Sequence, residues 1–373
     1  MNGWAGLKHH VSSRVTGKEA AEDQRSTKQD PALEPWRLNE GSFFLGGAVV
    51  FIDHVFIHVF DGKSDNIMAN QSSAANFQIV PFFSNPKDTP YIFTALLTIY
   101  LLGLLINMII ITVIYSDRRL HTPMYLFLCN LSIIDICFST VIIPKVLYTL
   151  LTGIKTVSFI QCFTQFFFYV LFGTSEDTLL FVMAYDRYVA ICRPLYYSQI
   201  LSKKSCFGLI VGIWSSACMN SLLITVQASK LTFCSTNKIH HLFCDFKALF
   251  KISCGGLEKF FNLVYFEILV FVFFPFLFSF VSYIKIITII LHIKSHEGRR
   301  KVFSTCSSHL TVLLLYYTTA SSVILAPNSK YSDILEQSCS VLYTTVTPML
   351  NPLIYTLRNK EVKNALWRLM KAK

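Results

Sequence analysis

Seven apolar stretches run through the chain near Tyr91–Tyr115, Met124–Leu150, Phe159–Cys192, Cys206–Thr225, Phe260–Ile293, Val302–Ala326 and Leu335–Leu357. Short polar segments rich in Lys and Arg separate most of them. A hydrocarbon core about 30 Å thick takes roughly 20 helical residues to cross. In lipid, a helix is the only way for a single span to satisfy its own backbone N–H and C=O groups. The pattern therefore predicts an all-α membrane protein, a seven-transmembrane helix bundle over residues 91–357. Beyond the last stretch, Arg358 to Trp367 alternates basic and apolar residues at helical spacing. This predicts a short amphipathic helix on the inner leaflet, opening a cytoplasmic tail over 358–373.

Charge orients the bundle. The connections after the first, third and fifth stretches carry Arg118, Arg119, Arg193, Lys203, Lys204, Lys294, Arg299, Arg300 and Lys301. The tail adds Arg358, Lys360, Lys363, Arg368, Lys371 and Lys373. Positive residues mark the cytoplasmic face, so the C-terminus is expected inside and the segment before Tyr91 outside. Lys230, Lys238, Lys247, Lys251 and Lys259 lie in the long loop after the fourth stretch, where charge is a weak topology signal.

Composition agrees with lipid as the main solvent. The 373 residues are 53% hydrophobic and 15% charged, against about 25% charged in soluble domains. The net charge of +11 is spread between apolar stretches, which argues against a nucleic-acid partner.

Residues 1–40 are polar and have no apolar stretch near Met1, so they do not read as an ordinary signal peptide. Residues 42–60 are apolar but broken by Asp53, His54 and His58; the alternative to a loop is a noncleaved anchor. The expectation for 1–67 is a disordered extension that adds nothing to function and stands outside the natural product. Residues 68–90 form an extracellular segment, with a glycosylation sequon at Asn70-Gln71-Ser72.

Several polar residues fall inside the apolar stretches: Asn107, Asp135, Glu176, Asp177 and Asn351. Ionisable groups in lipid are costly and mark function. A bundle can gather these acids and asparagines into one cluster around water or a cation; the alternative is hydrogen-bonded glue between helices. Pro275, Pro348 and Pro352 permit bends. His121, His296 and His309 lie at one face and His240 and His241 at the other, so they cannot form one catalytic site, and the chain is not read as an enzyme. No internal repeat relates its halves, and an odd span count speaks against common transporter plans.

The segment Met183-Ala184-Tyr185-Asp186-Arg187-Tyr188-Val189-Ala190-Ile191-Cys192 resembles the odorant-receptor branch of the rhodopsin-like G-protein-coupled receptors. Four further blocks agree in order and spacing: His121-Thr122-Pro123-Met124-Tyr125, Ser282-Tyr283, Lys301 through His309, and Pro348 through Tyr355. The resemblance runs from Met68 to Lys373. It implies binding of a small volatile odorant and activation of an olfactory-type stimulatory heterotrimeric G protein, raising cyclic AMP at the plasma membrane.

The resemblance also assigns roles. Asp186, Arg187, Tyr188, Tyr283, His309, Asn351, Pro352 and Tyr355 would form the switch and the G-protein contact. Independently of the resemblance, two acids as close as Asp135 and Glu176 could be in the bundle would share a sodium ion, the one cofactor expected. Cys162 would pair with Cys244, and Cys234 with Cys254; arithmetic alone leaves three pairings open. By helical phase, Tyr169, Val170, Gly173, Thr174, Phe271, Tyr317, Ser321, Ile324 and Thr344 would line a pocket between the third, fifth, sixth and seventh spans. That mix of apolar walls and hydroxyls suits a weakly polar molecule. An amine is disfavoured because no acid is expected near Tyr169, although Glu267, high in the fifth span, keeps it as an alternative. The sequence departs from the family at Ile106 and Thr318, where glycine is usual, and in the extra acid Asp177.

Overall fold

In a computed structural model, residues 76–81, 87–233, 237–325 and 330–371 are described. The extension 1–67, Asn70 and Cys234 lie outside them. The first four apolar stretches become α1 (Thr89–Ser116), α2 (Pro123–Thr152), α3 (Phe159–Cys192) and, after a short α4 (Tyr197–Ile200), α5 (Lys203–Ala228). Local signals set the ends. Pro123 opens α2, where a missing N–H costs nothing. At the start of α3, Ser158 and Gln161 form a reciprocal capping box, each side chain accepting the other's backbone N–H at 3.2 Å. Gly153, in a left-handed conformation at φ 71°, ends α2 without the penalty a Cβ would bring.

A short loop helix α6 (Phe246–Lys251) precedes α7 (Leu257–Glu267), which runs through a π-helical turn at Ile268–Phe273 into α8 (Phe274–His292). The widened turn ends just before Pro275, which has no N–H to contribute to a regular ladder. Then follow α9 (His296–Leu325), α10 (Lys330–Val341), a second π-turn at Leu342–Val346, α11 (Thr347–Arg358) and α12 (Lys360–Lys371). Five described helices are long and apolar enough to cross a membrane: α1, α2, α3, α5 and the continuous α7–α8. The sixth stretch starts earlier than its apolar boundary, because helical hydrogen bonding continues through the charged turn His296–Lys301.

The helices pack side by side with α3 innermost, touching α2, α5, α8 and α9. α11 packs on α1, α2 and α9. Outward faces remain apolar, as with Leu101, Leu105 and Met108 on α1 and Phe276, Phe278 and Phe280 on α8, as expected where lipid replaces water.

At the Cys162 end, β1 (Asn76–Ile79) pairs antiparallel with β2 (Thr156–Ser158) and parallel with β4 (Lys238–Ile239). β3 (Thr232–Phe233) pairs antiparallel with β5 (Ser253–Gly255). Phe77, Val157, Phe163, Ile224, Ile239 and Leu249 close a core beneath these strands. At the opposite end α12 folds back onto α1 and α11, burying Val362 and Ala365 and leaving Trp367 exposed. Arg368 on α12 forms an ion pair with Asp117, beyond the end of α1.

Candidate functional site

The acids of α2 and α3 meet one asparagine of α11. Asn351 Nδ2 donates to Asp135 Oδ1 and to Glu176 Oε1, each at 3.2 Å, and all three residues are buried. Glu176 Oε2 finds no hydrogen-bond partner among the described residues. Asn107 does not join this cluster, which corrects the single-cluster expectation. Its Nδ2 donates at 3.0 Å to the Gly103 carbonyl and to that of Pro348. The reason lies in the backbone: Pro348 is four residues before Pro352, whose missing N–H leaves that carbonyl without its helical donor.

At the α12 end, Arg187 Nε donates to Asp186 Oδ2 at 2.8 Å, and the guanidinium side chain is 12% exposed. Tyr197, on α4, donates its hydroxyl to Asp186 Oδ1 at 2.8 Å. Burial and the neighbouring Asp186 charge both push the Tyr197 hydroxyl far above its ordinary titration range, so it stays a donor. Tyr283 Oη and His309 Nδ1 share a 2.7 Å hydrogen bond between α8 and α9. The Tyr355 ring lies 6.4 Å from that of His309. Lys285 Nζ lies 5.7 Å above the ring of Tyr188. Pro352 is buried one turn before Tyr355.

At the opposite end, the Cys162–Cys244 disulfide ties the long loop to α3. Cys254 is also disulfide-bonded, and Cys234 lies outside the described residues. The loop is fastened further by Lys251 Nζ to Glu336 at 3.3 Å, by Gln337 Nε2 donating to the His240 carbonyl at 3.2 Å, and by the 3.2 Å contact of His241 Nε2 with Ser340 Oγ.

The expected lining residues divide. Tyr169 packs its ring against Phe138 and Phe243 at 5.7 and 5.2 Å. The Gly173 carbonyl accepts from Tyr316 at 3.5 Å, and a Cβ on Gly173 would meet the Tyr343 hydroxyl at 3.4 Å. Tyr317 packs on Phe276, with rings 5.0 Å apart, and Phe271 is half-buried in the π-turn. Val170 instead belongs to the core under the strands. Thr174 turns toward α5, accepting from Asn220 Nδ2 at 3.1 Å. Thr344 donates to its own helix at Ser340, and Ser321 is exposed. The Ile324 side chain lies outside the described residues. One expectation is corrected: an acid does stand near Tyr169, because Asp245 lies between Phe243 and Phe246, whose rings pack on that of Tyr169 at 5.2 and 6.5 Å.

The family profile of the olfactory receptors matches residues 96–373. The chain belongs to the olfactory receptor family. It is similar to olfactory receptor 1L4 of Homo sapiens, 43% identical over 298 residues, covering 80% of this chain and 96% of the relative. It is 41% identical to olfactory receptor 1M1 of Mus musculus over 307 residues, covering 82% of this chain and 97% of the relative. It is 43% identical to olfactory receptor 10A7 of Homo sapiens over 302 residues, 81% and 96% of the two chains.

Membership makes this olfactory receptor a seven-helix, G-protein-coupled protein of the plasma membrane, a signalling receptor and not an enzyme. It also explains why the sixth and seventh helices belong with the five apolar ones: α9 and α10–α11 complete the bundle. In the receptor, Thr318 points outward and donates to Leu314 of its own helix, so the departure from glycine leaves the interior untouched. Nothing in the sequence singles out Tyr197 or Asn220. Neither lies in a recognised block, and each gains meaning only from a partner on another helix.

Proposed function

We propose that this olfactory receptor binds a small volatile odorant between α3, α7–α8, α9 and α10–α11, and passes the signal to a stimulatory heterotrimeric G protein that raises cyclic AMP. The observation that carries this reading is the arrangement around Asp186. One buried carboxylate holds Arg187 and Tyr197 together at the end of the bundle, with Tyr283, His309 and Tyr355 layered beside it. Parting of α3 from α9 would release the guanidinium toward the G protein, and Tyr355 would swing after the bend at Pro352. Asp135, Glu176 and Asn351 would share a sodium ion that stabilises the resting bundle by neutralising two adjacent carboxylates. Tyr188 would anchor the helix end beneath Lys285.

The same reading sets the N-terminal side outside, with Asn70 glycosylated and Cys234 paired with Cys254. α12 would lie on the inner leaflet through Trp367 and Met370, which are both exposed. Residues 1–67 would add nothing, so a chain starting at Met68 should reach the surface and respond like the full chain. The decisive experiment is Arg187→Ala in cells expressing the olfactory-type stimulatory G protein and challenged with a panel of volatiles. Surface labelling should persist and the cyclic AMP response should vanish. An undiminished response would overturn the proposal.

A further inference from the structure

The loop that the Cys162–Cys244 disulfide ties to α3 meets α10 through three buried side chains, His241, Asp245 and Glu336. One nitrogen or oxygen from each lies within 4.8 Å of the other two. Among the described residues, no other three histidine, cysteine or acidic side chains come together in this way. His241 Nε2 and Asp245 Oδ2 are 3.7 Å apart. Ser340 Oγ, one turn after Glu336 on α10, lies 3.2 Å from the same His241 Nε2.

Each of the three side chains has one atom fixed by a partner outside the cluster. His241 Nδ1 lies 3.2 Å from the Phe243 carbonyl, and the Phe243 N–H is the longer contact at 3.5 Å. With its proton on Nδ1, donated to that carbonyl, the ring leaves the Nε2 lone pair to the cluster. Asp245 Oδ1 accepts the Ala248 N–H at 2.8 Å, which leaves Oδ2 beside His241. Glu336 Oε2 accepts from Lys251 at 3.3 Å, whereas Oε1 is buried with no hydrogen-bond partner among the described residues. A buried carboxylate oxygen without a donor is costly, and a bound cation would satisfy it. Metal-binding histidines and carboxylates are held in this manner, a hydrogen bond on one atom orienting the other.

One imidazole and two carboxylates suit zinc, whereas calcium and magnesium take oxygen ligands alone. Zinc binds such groups at about 2.0–2.2 Å in a tetrahedron, so neighbouring donors stand about 3.4 Å apart. The 3.7 Å pair is close to that spacing, and the outer limit of 4.8 Å asks for a closure of roughly an ångström. Water or the Ser340 hydroxyl would fill the fourth position. Two carboxylates against one lysine leave the cluster anionic while the imidazole is neutral, which favours a divalent cation. We propose that His241, Asp245 and Glu336 form a zinc site that clamps the long loop to α10, a second cross-link beside the Cys162–Cys244 disulfide. It is independent of the odorant reading and uses neither Asp135 nor Glu176.

The test uses the purified full chain, stripped with a chelator and then titrated with zinc. Zinc should raise the unfolding temperature progressively with the logarithm of its concentration, as a ligand of the folded state does, and calcium and magnesium should not. Glu336→Gln and His241→Gln should each weaken zinc binding by more than about tenfold, the smallest loss expected from removing only a hydrogen-bond partner of a ligand. Cobalt reports the donor set on the natural chain itself. Bound by imidazole and carboxylate, it gives weak visible bands, whereas a cysteine thiolate adds a strong near-ultraviolet band. The visible bands should appear with the first equivalent and disappear in Glu336→Gln. No zinc-dependent shift in the natural chain, a thiolate band at the first equivalent, or undiminished zinc affinity in both variants would overturn the proposal. If one variant fails to fold, the other decides, together with the cobalt spectrum of the natural chain.

Discussion

Asn107 on α1 donates a 3.0 Å hydrogen bond to the Pro348 carbonyl on α11, the carbonyl that Pro352 leaves without a helical donor. The two helices are thus joined at the point where one of them is weakest. Asn107→Ala should lower stability by about 1–3 kcal/mol, the cost of a buried acceptor losing its partner. In a Pro352→Ala background the restored N–H can serve Pro348, so the same substitution should cost less. Unfolding temperatures of the four purified chains would measure this coupling; strictly additive losses would count against it.

Asp186 is held by Arg187 from one side and Tyr197 from the other. Removing one of the two should loosen the resting arrangement without deleting the guanidinium. Tyr197→Phe is expected to raise basal cyclic AMP severalfold while surface expression stays normal. Basal signalling at or below that of the natural receptor would argue that the hydroxyl is only a packing contact.

If Asp135 and Glu176 share a cation, their negative charges are what bind it. Glu176→Gln and Asp135→Asn should then each blunt the dependence of basal activity on external sodium. Titrating sodium against an inert organic cation at constant ionic strength reads this directly. An unchanged sodium response in both variants would leave Asn351 as interhelical glue.

Asp117 ties the start of the loop after α1 to α12. Partial burial pushes its carboxyl up, but the hydrogen bond from Arg368, the Arg119 backbone N–H and the charges of both arginines outweigh this and hold it below the usual carboxylate range. A carboxyl depressed in the folded state adds stability at pH above its unfolded value, about 3.9, and loses it as pH falls toward the folded value. The natural receptor should therefore unfold at a higher temperature than Asp117→Asn at pH 6, and the gap should close below about pH 4. Arg368 is 38% exposed, so salt should narrow the gap too. A gap independent of pH and salt would mean that the pair contributes through shape alone.

Much of this protein was legible along the chain because the causes are local. Lipid crossing demands length and apolarity, which each stretch carries by itself, and Phe159–Cys192 appears in the structure with the bounds read from its sequence. The blocks around Arg187 and Pro352 are contiguous, so they revealed the family without any knowledge of packing. What tertiary structure decided was rotation and reach. Asn107 and Asn351 are the same residue type in equally apolar surroundings, yet one caps a proline-broken turn and the other joins the acids. Nothing local distinguishes them, because the difference lies in how α1 and α11 are turned about their axes. Likewise, Asn220 is 46 residues from Thr174 in sequence, and its amide reaches that hydroxyl at 3.1 Å only because α5 packs beside α3. Side-chain periodicity assigns a residue to a face of its own helix, whereas the partner across that face is set by helices distant in the chain.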